Sequence, residues 1–106
     1  MGSNLKEWKE KDFDELIKSH GNAIVEFGAP WCGTCKVSEP IIANLQSNHK
    51  EIAFARIDVG KAPGLSSKMG VMSLPNILVV KKGKVIDQII GVPTKKILEE
   101  KIKKLK

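Results

Sequence analysis

The sequence predicts an α/β fold in which a mixed central β-sheet is flanked by helices on both faces. Three observations carry that reading. Short apolar runs alternate with segments whose apolar residues recur at helical spacing. The element order reads βαβ, a short helix, then ββα. The last two strand-like runs flank Lys81-Lys82-Gly83-Lys84, a hairpin turn containing glycine. A βαβ unit requires parallel neighbours and a hairpin requires antiparallel ones, so one sheet must hold both.

The elements follow in order. Asp12 is the expected N-cap of the first helix, Phe13, Leu16 and Ile17 recur at helical spacing behind it, and the polar stretch 19–22 ends it. Residues 23–27 form a short apolar strand interrupted by one carboxylate, Glu26. Cys32 opens the next helix, whose apolar stripe is Val37, Ile41, Ile42 and Leu45 and runs out near Asn48. Pro40 lies inside it. A proline there removes one backbone hydrogen bond and crowds the preceding turn, so a kink rather than a break is expected where the apolar face resumes. Residues 52–59 read as a strand, 63–68 as a short helix, and 76–80 and 85–90 as the hairpin strands. A last helix starts at Pro93 or Thr94 and turns Ile97, Leu98, Ile102 and Leu105 inward.

At 106 residues the chain reads as one domain, residues 1–106, a size that buries roughly 65% of the unfolded chain's surface. It contains no repeat, low-complexity stretch or linker. Apolar residues make up 42% and aromatics only 5%, and no apolar run approaches the roughly 20 residues of a membrane span, so a soluble protein without a membrane partner is expected. The opening Met1-Gly2-Ser3-Asn4-Leu5-Lys6 lacks the apolar core of a secretory signal, and Lys6 stands where myristoylation needs Ser or Thr. A cytoplasmic protein is expected. The net charge of +6 is spread through Lys6, Lys9, Lys11, Lys61, Lys81, Lys82 and Lys84. Only Lys101, Lys103, Lys104 and Lys106 cluster, in a helix where Glu99 with Lys103 and Glu100 with Lys104 make i,i+4 pairs. That is the pattern of a solvated helix face, and no nucleic-acid partner is expected.

Cys32 and Cys35 are the only cysteines. A bridge closing so short a loop removes little entropy from the unfolded chain, so a structural staple is not expected. A redox pair and a metal site remain. In the first, one thiolate attacks a partner's disulfide while the second stays within reach to release the product. In the second, zinc takes four ligands, and His20 and His49 fall at the far ends of their elements, which leaves a metal or iron-sulfur site bridged between two subunits. No glycine-rich dinucleotide fingerprint is present, so no cofactor is expected.

Trp31-Cys32-Gly33-Thr34-Cys35-Lys36 after a strand, Pro40 five residues past the second cysteine, Leu74-Pro75 before a strand and Gly91 after the hairpin stand in the order and spacing of one family. From about Asp12 to the C-terminus the chain resembles the thioredoxin family. The resemblance implies the thioredoxin fold, dithiol-disulfide exchange through a redox-active Cys32–Cys35 pair with no metal, and a cis bond at Pro75 beside it. It further implies a monomeric protein-disulfide oxidoreductase, an electron carrier that reduces disulfide-containing protein substrates and is recharged by a thioredoxin-reductase-type donor. The sequence departs from the common pattern at several positions. Thr34 replaces the usual proline, Glu26 a buried aspartate, and Gly28 a frequent aromatic, while Phe54 and Glu39 stand where some members place a lysine near that carboxylate.

Each site residue then has an expected task. The first turn of a helix favours a thiolate at Cys32 through its unpaired amides and macrodipole. Cys35, one turn on, resolves the mixed disulfide. Glu26 reads either as an exposed polar residue on an edge strand or as a carboxylate in a central strand covered on both faces. The second is expected, and there burial raises its pKa toward neutrality and suits it to act as the base for Cys35; the missing lysine pushes the same way. Trp31 shields the nucleophile and offers flat apolar surface. A cis bond at Pro75 turns the Leu74 backbone toward the sulfurs to pair with an extended substrate. Gly33, Thr34, Met72, Ser73, Gly91 and Val92 complete a shallow rim, with Gly91 allowing close backbone approach. The Thr34 hydroxyl and amide can bond the thiolate, which predicts a potential less negative than that of proline-containing relatives. The competing reading is a binding or chaperone module whose thiols are incidental.

Overall fold

The computed structural model describes residues 5–106; the polar stretch 1–4, read above as free of a secretory signal, lies outside the described residues. The elements are β1 (Lys6–Glu7), α1 (Glu10–Lys18), β2 (Ala23–Gly28), α2 (Gly33–Gln46), β3 (Ala53–Asp58), α3 (Pro63–Lys68), β4 (Asn76–Lys81), β5 (Lys84–Ile90) and α4 (Lys95–Lys103). The strands form one sheet in the order β1-β3-β2-β4-β5. β3 runs parallel to both β1 and β2, while β4 is antiparallel to β2 and β5. The predicted mixed sheet is therefore present, with β2 at its centre.

Alternation along β2 sorts the core into two layers. Ile24 joins Ile42 and Leu45 of α2 and Leu98 and Ile102 of α4 on one face. Ala23, Val25 and Phe27 join Phe13 of α1 and Leu65 of α3 on the other, where the Phe13 and Phe27 rings meet edge to face at 6.2 Å. Every residue of β2 is buried as a result. α2 passes through Pro40 as one continuous 14-residue helix. No described helix is long and apolar enough to cross a membrane.

Several elements differ from their sequence reading, each for a local reason. α1 starts earlier than Asp12: Lys9 is the N-cap, and the Asp12 carboxylate reaches back to accept the Lys9 amide at 2.8 Å. On α2 the inward row is Cys35, Ser38, Ile42 and Leu45, which leaves Val37 57% exposed and Ile41 half-buried. Neighbours along a helix diverge by roughly 100°, so Val37 cannot share a face with Ser38. Ile97 is likewise exposed beside buried Leu98. The hairpin turn contracts to Lys82-Gly83, both at positive φ (51° and 78°), as a two-residue turn matched to strand twist requires. β1 escapes the sequence entirely, because two charged residues carry no periodicity; parallel pairing with Ala55 and Arg56 defines it.

Lys101 of α4, with Lys104 and Lys106 just past its end, reaches across to other elements. Asp87 of β5 takes Lys101 at 2.6 Å and Lys104 at 3.3 Å, and Glu51 takes Lys106 at 2.7 Å. The hydrogen bond from Lys101, helped by the Gln88 amide, holds the Asp87 carboxyl down at about 2. Asp87→Asn should lower stability at pH 7 by about 1 kcal/mol, the scale of a partly exposed ion pair. A depressed carboxylate contributes fully above its unfolded pKa of 3.8 and loses that contribution as pH falls through about 2. Urea midpoints of the two proteins should therefore differ at pH 7 and converge near pH 2.

Candidate active site at the start of the second helix

β2 ends at Gly28 and α2 begins at Gly33, and the connection delivers Cys32 as the N-cap of α2. Its sulfur takes the place of a capping oxygen. The Cys35 amide donates to Cys32 Sγ at 3.2 Å, and the Thr34 hydroxyl lies 3.5 Å from the same atom. A disulfide joins the two cysteines. Cys32 keeps 6% exposure while Cys35, facing the sheet, keeps none. Free amides and the helix dipole both favour negative charge on the Cys32 sulfur once the bond is reduced.

α2 and β2 meet contact by contact behind that sulfur. A Cβ built on Gly28 would stand 2.9 Å from Cys35 Sγ, so a side chain there would displace the helix or the thiol. Two residues back on the same strand face, Glu26 meets Ser38, one turn past Cys35. The Ser38 hydroxyl donates to Glu26 Oε2 at 2.5 Å, and both residues are fully buried. Glu26 Oε1 is also buried and has no hydrogen-bond partner. Loss of water is the largest influence and lifts the Glu26 carboxyl to about 7, against the lowering effect of the Ser38 hydrogen bond.

The missing lysine does not leave Glu26 without a cation nearby. Parallel register sets Arg56 of β3 beside Glu26, and its charge favours the carboxylate while that of Glu39 opposes it. Arg56 is shared, since Glu39 and Glu7 each accept from its guanidinium at 3.4 Å. A cleft of about 520 Å3, lined by Gly28, Pro30, Glu39, Pro40, Arg56 and Asp58 among others, opens beside this cluster.

The remaining predicted residues form the mouth. Leu74-Pro75 is cis. Asn76 pairs with Phe27, so the antiparallel ladder sets Pro75 opposite Gly28, at the strand end where Cys35 packs. The Gly91 amide donates to the Pro75 carbonyl at 2.9 Å and ties the segment after β5 to the same place. The φ of 92° at Gly91 favours glycine, and a Cβ there would find open space within this chain. Trp31 is 79% exposed and Met72 94%, while Gly33, Thr34, Ser73 and Val92 are exposed and Leu74 is half-buried. Glu26 alone stands apart from the mouth, behind Cys35. Among the described residues, no group of three or more His, Cys, Asp or Glu comes together to hold a metal.

Sequence reasoning missed Ser38, Arg56 and Ile90. Ser38 was within reach, because its spacing from Cys35 places both on one helix face. Arg56 depends on strand register, which the sequence leaves open. Ile90, 66% exposed at the end of β5 next to Gly91, reads in the sequence only as the last residue of a hairpin strand.

The sequence matches the Thioredoxin family over residues 4–104. It is 35% identical over 94 residues to Thioredoxin H2 of Arabidopsis thaliana, covering 89% of this chain and 70% of that one. Against a thioredoxin of Chlorobaculum thiosulfatiphilum it is 34% identical over 95 residues, 88% of each chain. In three dimensions it is similar to the oxidized form of mitochondrial Thioredoxin 3 from Saccharomyces cerevisiae, with a TM-score of 0.85 and 29% identity over 95% of both chains. Thioredoxin NaTrxh from Nicotiana alata gives a TM-score of 0.85 at 28% identity, covering 100% of this chain and 96% of that one.

The buried carboxyl also makes stability depend on pH. Glu26 holds its proton to about 7 in the fold, against 4.5 for an ordinary glutamate, so between those values the native state binds more protons than the unfolded chain. Its contribution is complete below pH 4.5 and is lost as pH rises through about 7, a difference on the order of 3 kcal/mol. Glu26→Gln should remove that loss. Urea midpoints should show the variant gaining on wild type between pH 5 and pH 8; a constant difference would mean the carboxyl titrates normally.

Proposed function

Since the chain belongs to the thioredoxin family, has the thioredoxin fold and is a dithiol-disulfide oxidoreductase, we propose that Cys32 is its attacking thiolate, Cys35 its resolving thiol and Glu26 the base that serves Cys35. The Cys32 thiolate attacks one sulfur of a substrate disulfide, forming a mixed disulfide and expelling the other sulfur as a thiolate. Cys35 gives its proton to the Glu26 carboxylate and attacks Cys32 Sγ. That step closes the Cys32–Cys35 disulfide and releases the second substrate thiolate, and the two thiolates take up protons. The substrate gains two electrons and the dithiol loses two. A dithiol on a thioredoxin-reductase-type donor restores the pair by the reverse exchange.

One observation carries this assignment: Cys32 Sγ is the capping atom of α2 and accepts the Cys35 amide at 3.2 Å, with Cys35 sealed behind it. A carboxyl poised near 7 can accept a proton at neutral pH, which an ordinary glutamate does less effectively. Trp31, Met72, Ile90 and Val92 offer exposed apolar surface for a substrate, and the Leu74 backbone supplies pairing for an extended chain. Family membership supports disulfide-containing protein substrates in general. We further assign a monomer of one domain over residues 1–106, working in the reducing cytoplasm, where a lone CxxC is redox-active more often than structural.

Disulfide reduction on insulin, with mass spectrometry of the products, tests the roles. Cys32→Ser should fall to background. Cys35→Ser should accumulate a covalent substrate adduct at Cys32. Turnover retained in the double serine variant would instead support a binding module with incidental thiols. Thr34 bears on direction, since a hydroxyl 3.5 Å from Cys32 Sγ bonds a thiolate more strongly than a disulfide sulfur. Thr34→Val should make the potential more negative by roughly 30–65 mV, the equivalent of one hydrogen bond to a charged group. Titration against glutathione measures it, and an unchanged potential would remove Thr34 from redox tuning.

A further inference from the structure

A serine facing inward from the middle of a helix is costly to bury unless its hydroxyl is bonded, and it usually bonds back to its own helix. Ser38 is bonded, and across to the sheet. It is fully buried in the row Cys35, Ser38, Ile42, Leu45 and gives its proton to Glu26 Oε2 at 2.5 Å. An alanine would pack in the same row without a polar atom, so the hydroxyl answers to the carboxyl it meets. That carboxyl is held by one oxygen only, leaving Oε1 buried and unengaged. The neighbouring contact along the same two elements is Gly28 on Cys35. Ser38 thus lies three residues past the sealed thiol on the same helix face, and it touches the proton acceptor across the contact of helix and sheet.

We propose that Ser38 is a positioning residue for the exchange reaction: its hydroxyl clamps Glu26 by Oε2, keeps Oε1 free to receive the Cys35 proton, and keeps the carboxylate available at neutral pH. The proposal rests on Glu26 serving as the base. Its sign follows from the bond. A donor on a carboxylate favours the charged form, so loss of the hydroxyl leaves Glu26 protonated to higher pH. The charged groups that act on Glu26 from the packed elements are Glu39 on α2 and Arg56 on β3, while Ile77, its partner on β4, brings no charge. None of these changes when the Ser38 hydroxyl is removed.

The experiment uses the full chain in four forms: wild type, Ser38→Ala, Ser38→Thr and Glu26→Gln. Two quantities are followed from pH 5 to pH 9. One is the titration of Glu26 in the oxidised protein, read from the side-chain carboxyl 13C shift. The other is the rate at which a preformed mixed disulfide at Cys32 is resolved by Cys35. In Ser38→Ala both midpoints should move upward together by roughly 0.5–1 pH unit, the equivalent of one buried hydrogen bond, and resolution at pH 7 should slow. Ser38→Thr, which retains the hydroxyl, should restore both. Should Ser38→Ala not fold, Ser38→Cys keeps the volume with a weak donor and should shift both midpoints in the same direction. Midpoints in Ser38→Ala or Ser38→Cys that coincide with wild type overturn the proposal. So does a shifted carboxyl titration with an unshifted resolution profile, which is what a purely structural hydrogen bond gives. If Glu26→Gln itself resolves with the wild-type profile, the assignment of Glu26 as base fails first, and the carboxyl titration shows separately whether Ser38 tunes it.

Discussion

The packing of α2 on the central strand β2 is the contact from which the site is built. Two polar or small residues on the strand, Gly28 and Glu26, meet two on the helix, Cys35 and Ser38, within an otherwise apolar layer. Move the helix outward and the Ser38 hydroxyl leaves a buried carboxyl with no partner at all. Add an atom at Gly28 and the thiol loses its seat. The apolar contacts farther along, Ile24 with Ile42 and Leu45, fix how closely the two elements lie and so set the polar distances at the other end.

The electrostatics around Glu26 follow from the same packing. Desolvation outweighs the single hydrogen bond, and the sum lands near neutrality instead of at the extreme of an unpaired buried acid. Arg56 does not reverse this, because its guanidinium serves Glu39 and Glu7 and lies about a third exposed to solvent that screens it. A dedicated lysine salt bridge would have pulled the carboxyl toward the ordinary range. Here a cation is held near the acid by two competing carboxylates, so its influence on Glu26 is diluted by neighbours of the opposite sign.

Much of this was legible in the sequence, and what was not has identifiable causes. α3 occupies residues 63–68 as read, because proline starts it and the glycine-containing stretch after Lys68 cannot continue it. The apolar run 23–27 interrupted by Glu26 reads as a strand, and the second layer, with Val25 and Phe27 packed under α1 and α3, shows why both its faces are covered. Val37 and Ile97 look like core by hydropathy and are exposed by phase, an error of one position on a helix. β1 has no pattern to read. The cis bond at Leu74-Pro75 came from family resemblance and no local signal required it. Arg56 illustrates the general limit: which residues stand side by side on adjacent strands is set by register, and register is decided by the whole sheet.

Burial also imposes an order on the chemistry under the proposed roles. Cys35 presents no surface, so no external disulfide can reach it, and it can attack only what is already attached to Cys32. Cys32 presents a sliver, 6%, at a mouth where Trp31, Met72 and Ile90 stand far more exposed. A substrate must therefore settle on that apolar rim before its sulfur aligns with Cys32 Sγ, and backbone pairing at Leu74 can hold it without reading its side chains. The proton follows the opposite path, inward from Cys35 to a carboxyl that no substrate touches. Because the electrons enter at the surface and the proton leaves through the core, the residues that govern proton transfer can vary without disturbing the face that recognises partners. Glu26, Ser38 and Gly28, the polar or small residues where α2 packs on β2, all lie on the proton side.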